Sequence, residues 1–328
     1  MSSRQPSPSK RRRTDIDDTD QRTSVTSEIS IFDRTKLRSS ASNASRQPAI
    51  ICELQASGFI PNTVLSLRKR LTDGFGQKVI PRGFEVLILA GAEDIPDSVY
   101  FDSTHMSDAI LDAIWSELEE IHLEARYCDM YGKDKNAWCL DIVQPILRLL
   151  LKDESKLQLT NVQSQQIDGD LLPIVKNNLT WINKKADYSF LVSLSGPGYK
   201  ISYITDAFTK RTILFSGIEV KADDGGKKEV LAQLAIWLSA NLERLVRLGE
   251  LVKGLLNLTD WLFPTVGYTV IGHDWFTYIA YRVGNEVYVV GPISSVLVDT
   301  RSTYGILKLC DLERRVKEYT VSEYWPWI

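Results

Sequence analysis

The sequence predicts a mixed α/β fold built around one sheet. Two observations predict it. Short, apolar, β-prone runs are interleaved with long amphipathic runs of helical period. Gly-, Pro- and Asp-rich breaks separate the two kinds of run. The composition agrees: 328 residues, 44% apolar and 25% charged, which are ordinary values for a globular chain with a sizeable core.

Several classes are excluded early. Four cysteines in 328 residues do not make a disulfide scaffold and suit a reducing compartment. Three scattered histidines, His105, His122 and His273, give no zinc-finger spacing. The apolar stretch Ile142 to Leu151 is broken by Gln144, Pro145 and Arg148. It falls short of the ~20 residues that span a bilayer, so no membrane association is expected. The N-terminus carries no apolar signal segment.

Charge divides the chain. Residues 1–50 have a balance of +4 and the remainder a balance of −7. The first stretch is rich in Ser, Thr and Arg and poor in aromatics, so it reads as a disordered basic tail. Within it, Lys10-Arg11-Arg12-Arg13 beside Ser7-Pro8 fits a nuclear import signal, with cytoplasmic residence otherwise. Ser7 is a candidate phosphorylation site. The acidic remainder argues against a protein that coats duplex nucleic acid, but not against a local basic channel.

Residues 51–130 read as a mainly helical extension. Ile110, Ile114, Leu118 and Ile121 mark one helix in it, over Asp108 to Arg126. The domain proper is expected over 131–328. It opens with a helix from Asn136 to Lys152, striped by Trp138, Ile142 and Ile146, with Pro145 as a kink or a later start. A short strand is expected at Leu157 to Val162. Three further strands follow, at Asp187 to Leu194, Tyr199 to Ile204 and Thr212 to Lys221, the first two joined by a turn at Ser195 to Gly198. Asp223 and Asp224 break the chain before a long helix, Lys227 to Leu248. Strands are then expected in Thr265 to Ile271, Trp275 to Tyr281 and Glu286 to Val290, the last two joined at Gly284-Asn285. A final helix runs from Tyr304 to Thr320.

The chemistry concentrates in one place. Glu219 and Lys221 are two apart on a strand, so they share a face. Asp187 opens another strand of the same unit. If those strands are neighbours, two carboxylates converge into a hard oxygen site suited to Mg²⁺, beside a lysine able to orient water or stabilise charge on a phosphoryl oxygen. The bland alternative is an exposed ion pair at a strand end, worth little energy. The next helix carries Gln233 and Trp237 on one face. His273 reads as a turn residue, and Trp181, Trp237, Trp275, Trp325 and Trp327 as core or half-buried. The cysteines read as buried thiols. Lys227 and Lys228 stand where a nucleic-acid backbone could approach or simply face solvent.

Asp187, then Glu219-Val220-Lys221, then a helix with Gln233-x-x-x-Trp237, resembles the PD-(D/E)XK nuclease superfamily and its RecB-like members. More narrowly, the chain is similar to fungal proteins with a PD-(D/E)XK nuclease-like domain. The basic run, Trp138 to Leu147, Val270 to Trp275, Val290 to Pro292 and the aromatic C-terminus carry that likeness. The resemblance implies a restriction-endonuclease-like core, with a central mixed sheet flanked by helices. It assigns metal binding (Mg²⁺, with Mn²⁺ as an alternative) to Asp187, Glu219 and the Val220 carbonyl. It assigns water activation to Lys221 and positioning to Gln233, on a DNA or RNA substrate. The superfamily often adds a helix carboxylate, expected three residues before Trp138. Lys135 stands there instead, with Asp134 and Asp141 as substitutes. Two readings follow: a metal-dependent nuclease, or an inactive nuclease-fold module that binds nucleic acid or protein.

Overall fold

The computed structural model describes residues 48–90, 95–152, 154–172, 185–192, 201–222, 226–253 and 262–327. The basic run, Ser7, the Ser195–Gly198 turn, Asp223, Asp224, Trp181 and most of the expected tail lie outside the described residues.

The strands of the main sheet are β1 (Ala49–Glu53), β4 (Leu157–Asn161), β5 (Tyr188–Val192), β6 (Ile213–Lys221), β7 (Thr265–Ile271), β8 (Asp274–Val283), β9 (Glu286–Val290) and β10 (Val298–Asp299). The sheet is mixed, with strand order β1-β9-β8-β7-β6-β5-β4 and β10 paired to one end of β8. Strands β4, β5 and β6 form an antiparallel run, β6 and β7 are parallel, and β7, β8 and β9 are antiparallel again. A small separate pair joins β2 (Ile80–Pro81) to β3 (Tyr100–Phe101). The helices are α1 (Asn62–Thr72), α2 (Glu85–Ala90), α3 (Asp108–Met130), α4 (Lys135–Ala137), α5 (Gln144–Leu151), α6 (Lys227–Lys253), α7 (Thr303–Tyr319) and α8 (Trp325–Trp327).

Three expectations need correction. Ala49 and Ile50, counted with the tail, belong to β1, which runs parallel to β9. The N-terminal extension is therefore stitched into the main sheet as well as helical. Tyr199 to Ile204 does not build a strand in its described part. The N–H groups of Ile201 and Ser202 both go to the Lys210 carbonyl, at 2.7 and 3.1 Å. They close a local loop, leaving Ile204 a single bridge to Ile167. The third concerns the single helix expected over Asn136 to Lys152, which is divided; of the two outcomes expected for Pro145, the later start is the one found, with α5 beginning at Gln144. Between α4 and α5, residues Trp138–Val143 form wide π-helical turns, and the Gln144 N–H reaches back to the Cys139 carbonyl. Pro145 then falls in the first turn of α5, where its missing N–H is not required.

Strand β6 sits in the interior of the sheet, and all of its residues but Lys221 are buried. Its hydrogen-bond ladder slips one register step against β5 between Tyr188 and Phe190. Ser216 takes a φ of 68° there, the signature of a β-bulge. The Ser189 hydroxyl donates to the Phe215 and Ser216 carbonyls, at 3.1 and 2.9 Å.

Helix α6 links β6 to β7, so it crosses back over the sheet antiparallel to both. Its approach depends on Gly217 and Gly267, which are register partners on the two strands. A Cβ on Gly217 would lie 2.5 Å from Trp237 Cδ1, and one on Gly267 would lie 2.6 Å from Leu238 Cδ1. The two missing side chains make the seat for Trp237, Leu234 and Leu238, all fully buried. Each such burial contributes about 1.5–3 kcal/mol.

The N-terminal helices are tied on by α7. Arg315 donates to the carbonyls of Arg70, Asp73 and Gly74, at 2.9, 2.6 and 3.0 Å. These are acceptors left open at the end of α1. Asp311 orients the guanidinium at 2.9 Å. Two residues from both Asp311 and Arg315, Glu313 is buried with the Tyr268 hydroxyl beside it. Burial pushes its carboxyl up to about 8.

Two stability predictions follow from this packing. Gly217→Ala forces the Trp237 ring off its seat and should cost about 1–3 kcal/mol in urea denaturation. Glu313 remains protonated in the folded chain while its unfolded counterpart ionises from about 4.5 upward. The folded state then binds more protons than the unfolded one, so stability falls as pH rises from about 4.5 to about 8. Glu313→Gln cannot ionise. It should gain on the wild type by roughly 4 kcal/mol, at about 1.4 kcal/mol per pH unit, between pH 5 and pH 8 in paired denaturation curves. Parallel pH profiles for the two proteins would refute this.

Candidate active site

Asp187 and Glu219 are brought together by the ladder between β5 and β6. The Asp187 N–H donates to the Ile218 carbonyl at 2.8 Å, and the Asp187 carbonyl accepts the Val162 N–H at 2.9 Å. The backbone of Asp187 is thus fixed on both sides. Its carboxylate is fixed as well. Oδ2 accepts the Val220 N–H at 2.7 Å, and Oδ1 accepts the Gln163 side-chain amide at 3.0 Å. In an extended strand the N–H and C=O of one residue point the same way, so the Val220 carbonyl faces the Asp187 side too. Both acids are buried, at 2% exposure for Asp187 and 0% for Glu219.

The cation between them is Lys135. Its Nζ lies 2.9 Å from Asp187 Oδ1 and 3.1 Å from Glu219 Oε1. Lys135 opens α4, whose N-terminus is capped by Asp134 accepting the Ala137 N–H at 3.1 Å. One turn on, Cys139 presents Sγ to the same Gln163 amide at 3.3 Å. The Cys139 carbonyl accepts the Tyr188 hydroxyl at 3.0 Å, which seats the wide helical turn against β5.

Burial pushes the Glu219 carboxyl up to about 8, with Asp187 adding to the rise and Lys135 and Lys221 opposing it. Glu219 Oε2 is buried and has no hydrogen-bond partner. For Lys135, burial disfavours the charge, but Glu219 and Asp187 outweigh it and raise the ammonium above its ordinary value. Burial raises the Cys139 thiol, so it is not a ready nucleophile.

The other expected residues are placed as follows. Lys221 ends β6, half-buried, two residues beyond Glu219 and on its face of the strand. Trp237 sits over Gly217, so it belongs to the core, packed edge-on to Tyr203 at 5.1 Å. Four helical residues rise about 6 Å and two strand residues about 6.6 Å. That match sets Gln233, one turn before Trp237, level with Glu219. The Gln233 amide donates to Glu229 Oε1 at 3.1 Å.

Neither substitute carboxylate reaches the site. Asp134 is spent on the helix cap. Asp141 pairs with Lys133 at 3.6 Å and lines a groove of about 660 Å³ with Glu117, Glu120 and Glu124. His273 is a buried turn residue, its Nδ1 2.9 Å from Thr300 Oγ1. Trp275 is fully buried and Trp325 half-buried. Cys128 and Cys139 are buried, whereas Cys52 and Cys310 are half-buried. Lys227 is exposed and lies over the Phe276 ring at 5.0 Å.

Sequence reading missed the ionic role of Lys135 and the bridging role of Gln163. A lysine at the position of an expected acid is a signal of charge reversal, and it was legible. Gln163 lies in a polar loop with no pattern that singles it out.

Among the described residues, no group of three or more His, Cys, Asp or Glu side chains could hold a metal ion. A metal here would rest on two carboxylates and main chain. The two acids nonetheless converge on a single cation, and Glu219 keeps a buried oxygen without a partner. That donor set suits a hard divalent ion. No helix among the described residues is long and apolar enough to cross a membrane. No curated protein matches the chain. Residues 89–325 match the PD-(D/E)XK nuclease superfamily, a span that takes in α3, both acids and every strand of the main sheet except β1. With nearly three quarters of its length so matched and its two acids meeting at neighbouring strands, the chain belongs to the PD-(D/E)XK nuclease superfamily.

Proposed function

We propose that the domain is a divalent-metal-dependent hydrolase of nucleic-acid phosphodiester bonds, acting on DNA or RNA. The observation that carries this reading is the convergence of Asp187 and Glu219 on one cation position, with Lys221 on the same strand face.

Asp187, Glu219 and the Val220 carbonyl would hold Mg²⁺ or Mn²⁺. Bound there, the ion supplies Lewis-acid polarisation of a phosphoryl oxygen and a more acidic water. The chain's own residues do the rest. The Val220 N–H and the Gln163 amide lock the Asp187 carboxylate in one orientation, which is the preorganisation a ligand needs. Lys221 donates toward the attacking water and stabilises negative charge as it grows on the phosphoryl group. Gln233, level with Glu219, positions water or substrate backbone. Lys227 and Lys228, exposed at the start of α6, add positive charge for a phosphate chain. The run Lys10 to Arg13 supports a nuclear site of action.

The Lys135 ammonium favours a second reading. As a permanent occupant of the cation position, it would make the domain an inactive module that binds nucleic acid or protein.

Cleavage assays on single-stranded and duplex DNA and RNA, with Mg²⁺ or Mn²⁺, separate the readings. The wild type should cut at least one substrate and stop when the metal is chelated. Lys221→Ala should lower kcat about 100-fold or more while metal binding persists by calorimetry. Asp187→Asn should lose both. A wild type that cuts none of the four substrates with either ion would sink the enzyme reading and leave the inactive module.

A further inference from the structure

We propose that Lys135 is a built-in competitor for the metal: its side chain occupies the cation position between Asp187 and Glu219 and has to withdraw before a divalent ion can enter. This rests on the metal-dependent reading of the same site.

The geometry supports it in three ways. First, one nitrogen serves both acids, at 2.9 and 3.1 Å. Any cation bridging Asp187 Oδ1 and Glu219 Oε1 would need the volume that Nζ now fills. Second, the competition is uneven in charge. One ammonium faces two carboxyl groups, and Glu219 Oε2 is left buried with no partner. A divalent ion carries the larger charge and could use that oxygen, so the lysine holds the position without completing it. Third, the lysine has a way out. Its side chain is 33% exposed, whereas both acids are sealed. The Asp134 cap holds the start of the helix in place, so only side-chain torsions need change.

What remains when Lys135 leaves is still a formed site. The Val220 N–H and the Gln163 amide continue to orient Asp187. The protein would therefore alternate between a lysine-in state, which excludes metal, and a lysine-out state, which accepts it. The apparent dissociation constant rises in inverse proportion to the lysine-out fraction. A fraction of about 1–10% weakens apparent metal affinity by about 10- to 100-fold. The site would then fill only at high divalent-ion concentration.

The test is calorimetric titration of the full chain with MnCl₂ and MgCl₂. Proteins compared are the wild type, Lys135→Met, Lys135→Arg and Asp187→Asn. Thermal unfolding is followed in chelator and in excess Mn²⁺. Lys135→Met keeps the apolar stem and removes the charge, so it should bind Mn²⁺ about 10- to 100-fold more tightly than the wild type. It should melt lower than the wild type in chelator and gain more from Mn²⁺. Lys135→Arg keeps a cation and should not show the tighter binding. Asp187→Asn should show no binding heat, which locates the ion. If Lys135→Met does not fold in chelator, Lys135→Gln takes its place, with the same expectation. Equal affinities in wild type and Lys135→Met would overturn the competition while leaving the metal reading intact. No binding and no Mn²⁺-induced melting shift in any variant would overturn both.

Discussion

The hydrogen bond from the Val220 N–H to Asp187 Oδ2, at 2.7 Å, is the constraint on which the site depends. It ties a side chain of one strand to the backbone of its neighbour, so the carboxylate inherits the rigidity of the sheet. The register that permits it is set by the Tyr188–Ile218 pairing and by the bulge at Ser216. A slip of one residue would turn Glu219 to the other face and exchange the Val220 N–H for a group pointing away. The acids meet because the ladder around them is over-determined. Four main-chain or amide contacts hold Asp187 before any cation is considered.

Helix α6 converts that local rigidity into a wider arrangement. The paired glycines Gly217 and Gly267 let the helix lie against β6 and β7, and Trp237 and Leu238 fill the space a Cβ would have taken. The seat fixes the height of the helix over the sheet, and with it the level of Gln233. The motif of a glutamine four residues before an aromatic therefore has a mechanical content. The aromatic registers the helix on the sheet from inside the core, and the glutamine is carried to the level of the acids.

Most of this was legible in the sequence because its signals are local. Strands β4 to β9 and helices α3, α6 and α7 announce themselves by periodicity and by the breaks between them. The i, i+2 spacing of Glu219 and Lys221 is a property of any strand. What could not be read depends on distant partners. Strand β1 is five residues whose only described strand partner is β9, more than 230 positions away. The loop at Ile201 and Ser202 is β-prone in composition, but its N–H groups are captured by the Lys210 carbonyl. The wide turn at Trp138 to Val143 hides behind Pro145, since a proline in a helical stretch is equally consistent with a kink or a new start. At the site, the convergence of the acids could be inferred from two strands being neighbours. That Gln163 braces Asp187 could not, because nothing in a polar loop says which amide will face inward.

The charge reversal at Lys135 has a physical logic independent of catalysis. Two buried carboxylates side by side repel each other and are poorly solvated, and Glu219 is accordingly pushed up to about 8. A bare pair of this kind is costly to a folded chain. A third carboxylate from the helix would have made the metal-free protein worse still, tying folding to the ion as in sites where metal binding supplies folding free energy. A lysine at the same place relieves the repulsion with a charge the chain always carries. The acids are then balanced without a metal, which on the metal-dependent reading would come at the expense of affinity for it. Donor count and site charge govern how tightly hard cations are held. On the metal-dependent reading, a lysine in place of an acid would therefore move the site in one direction on both counts, toward a stable metal-free fold and weak loading.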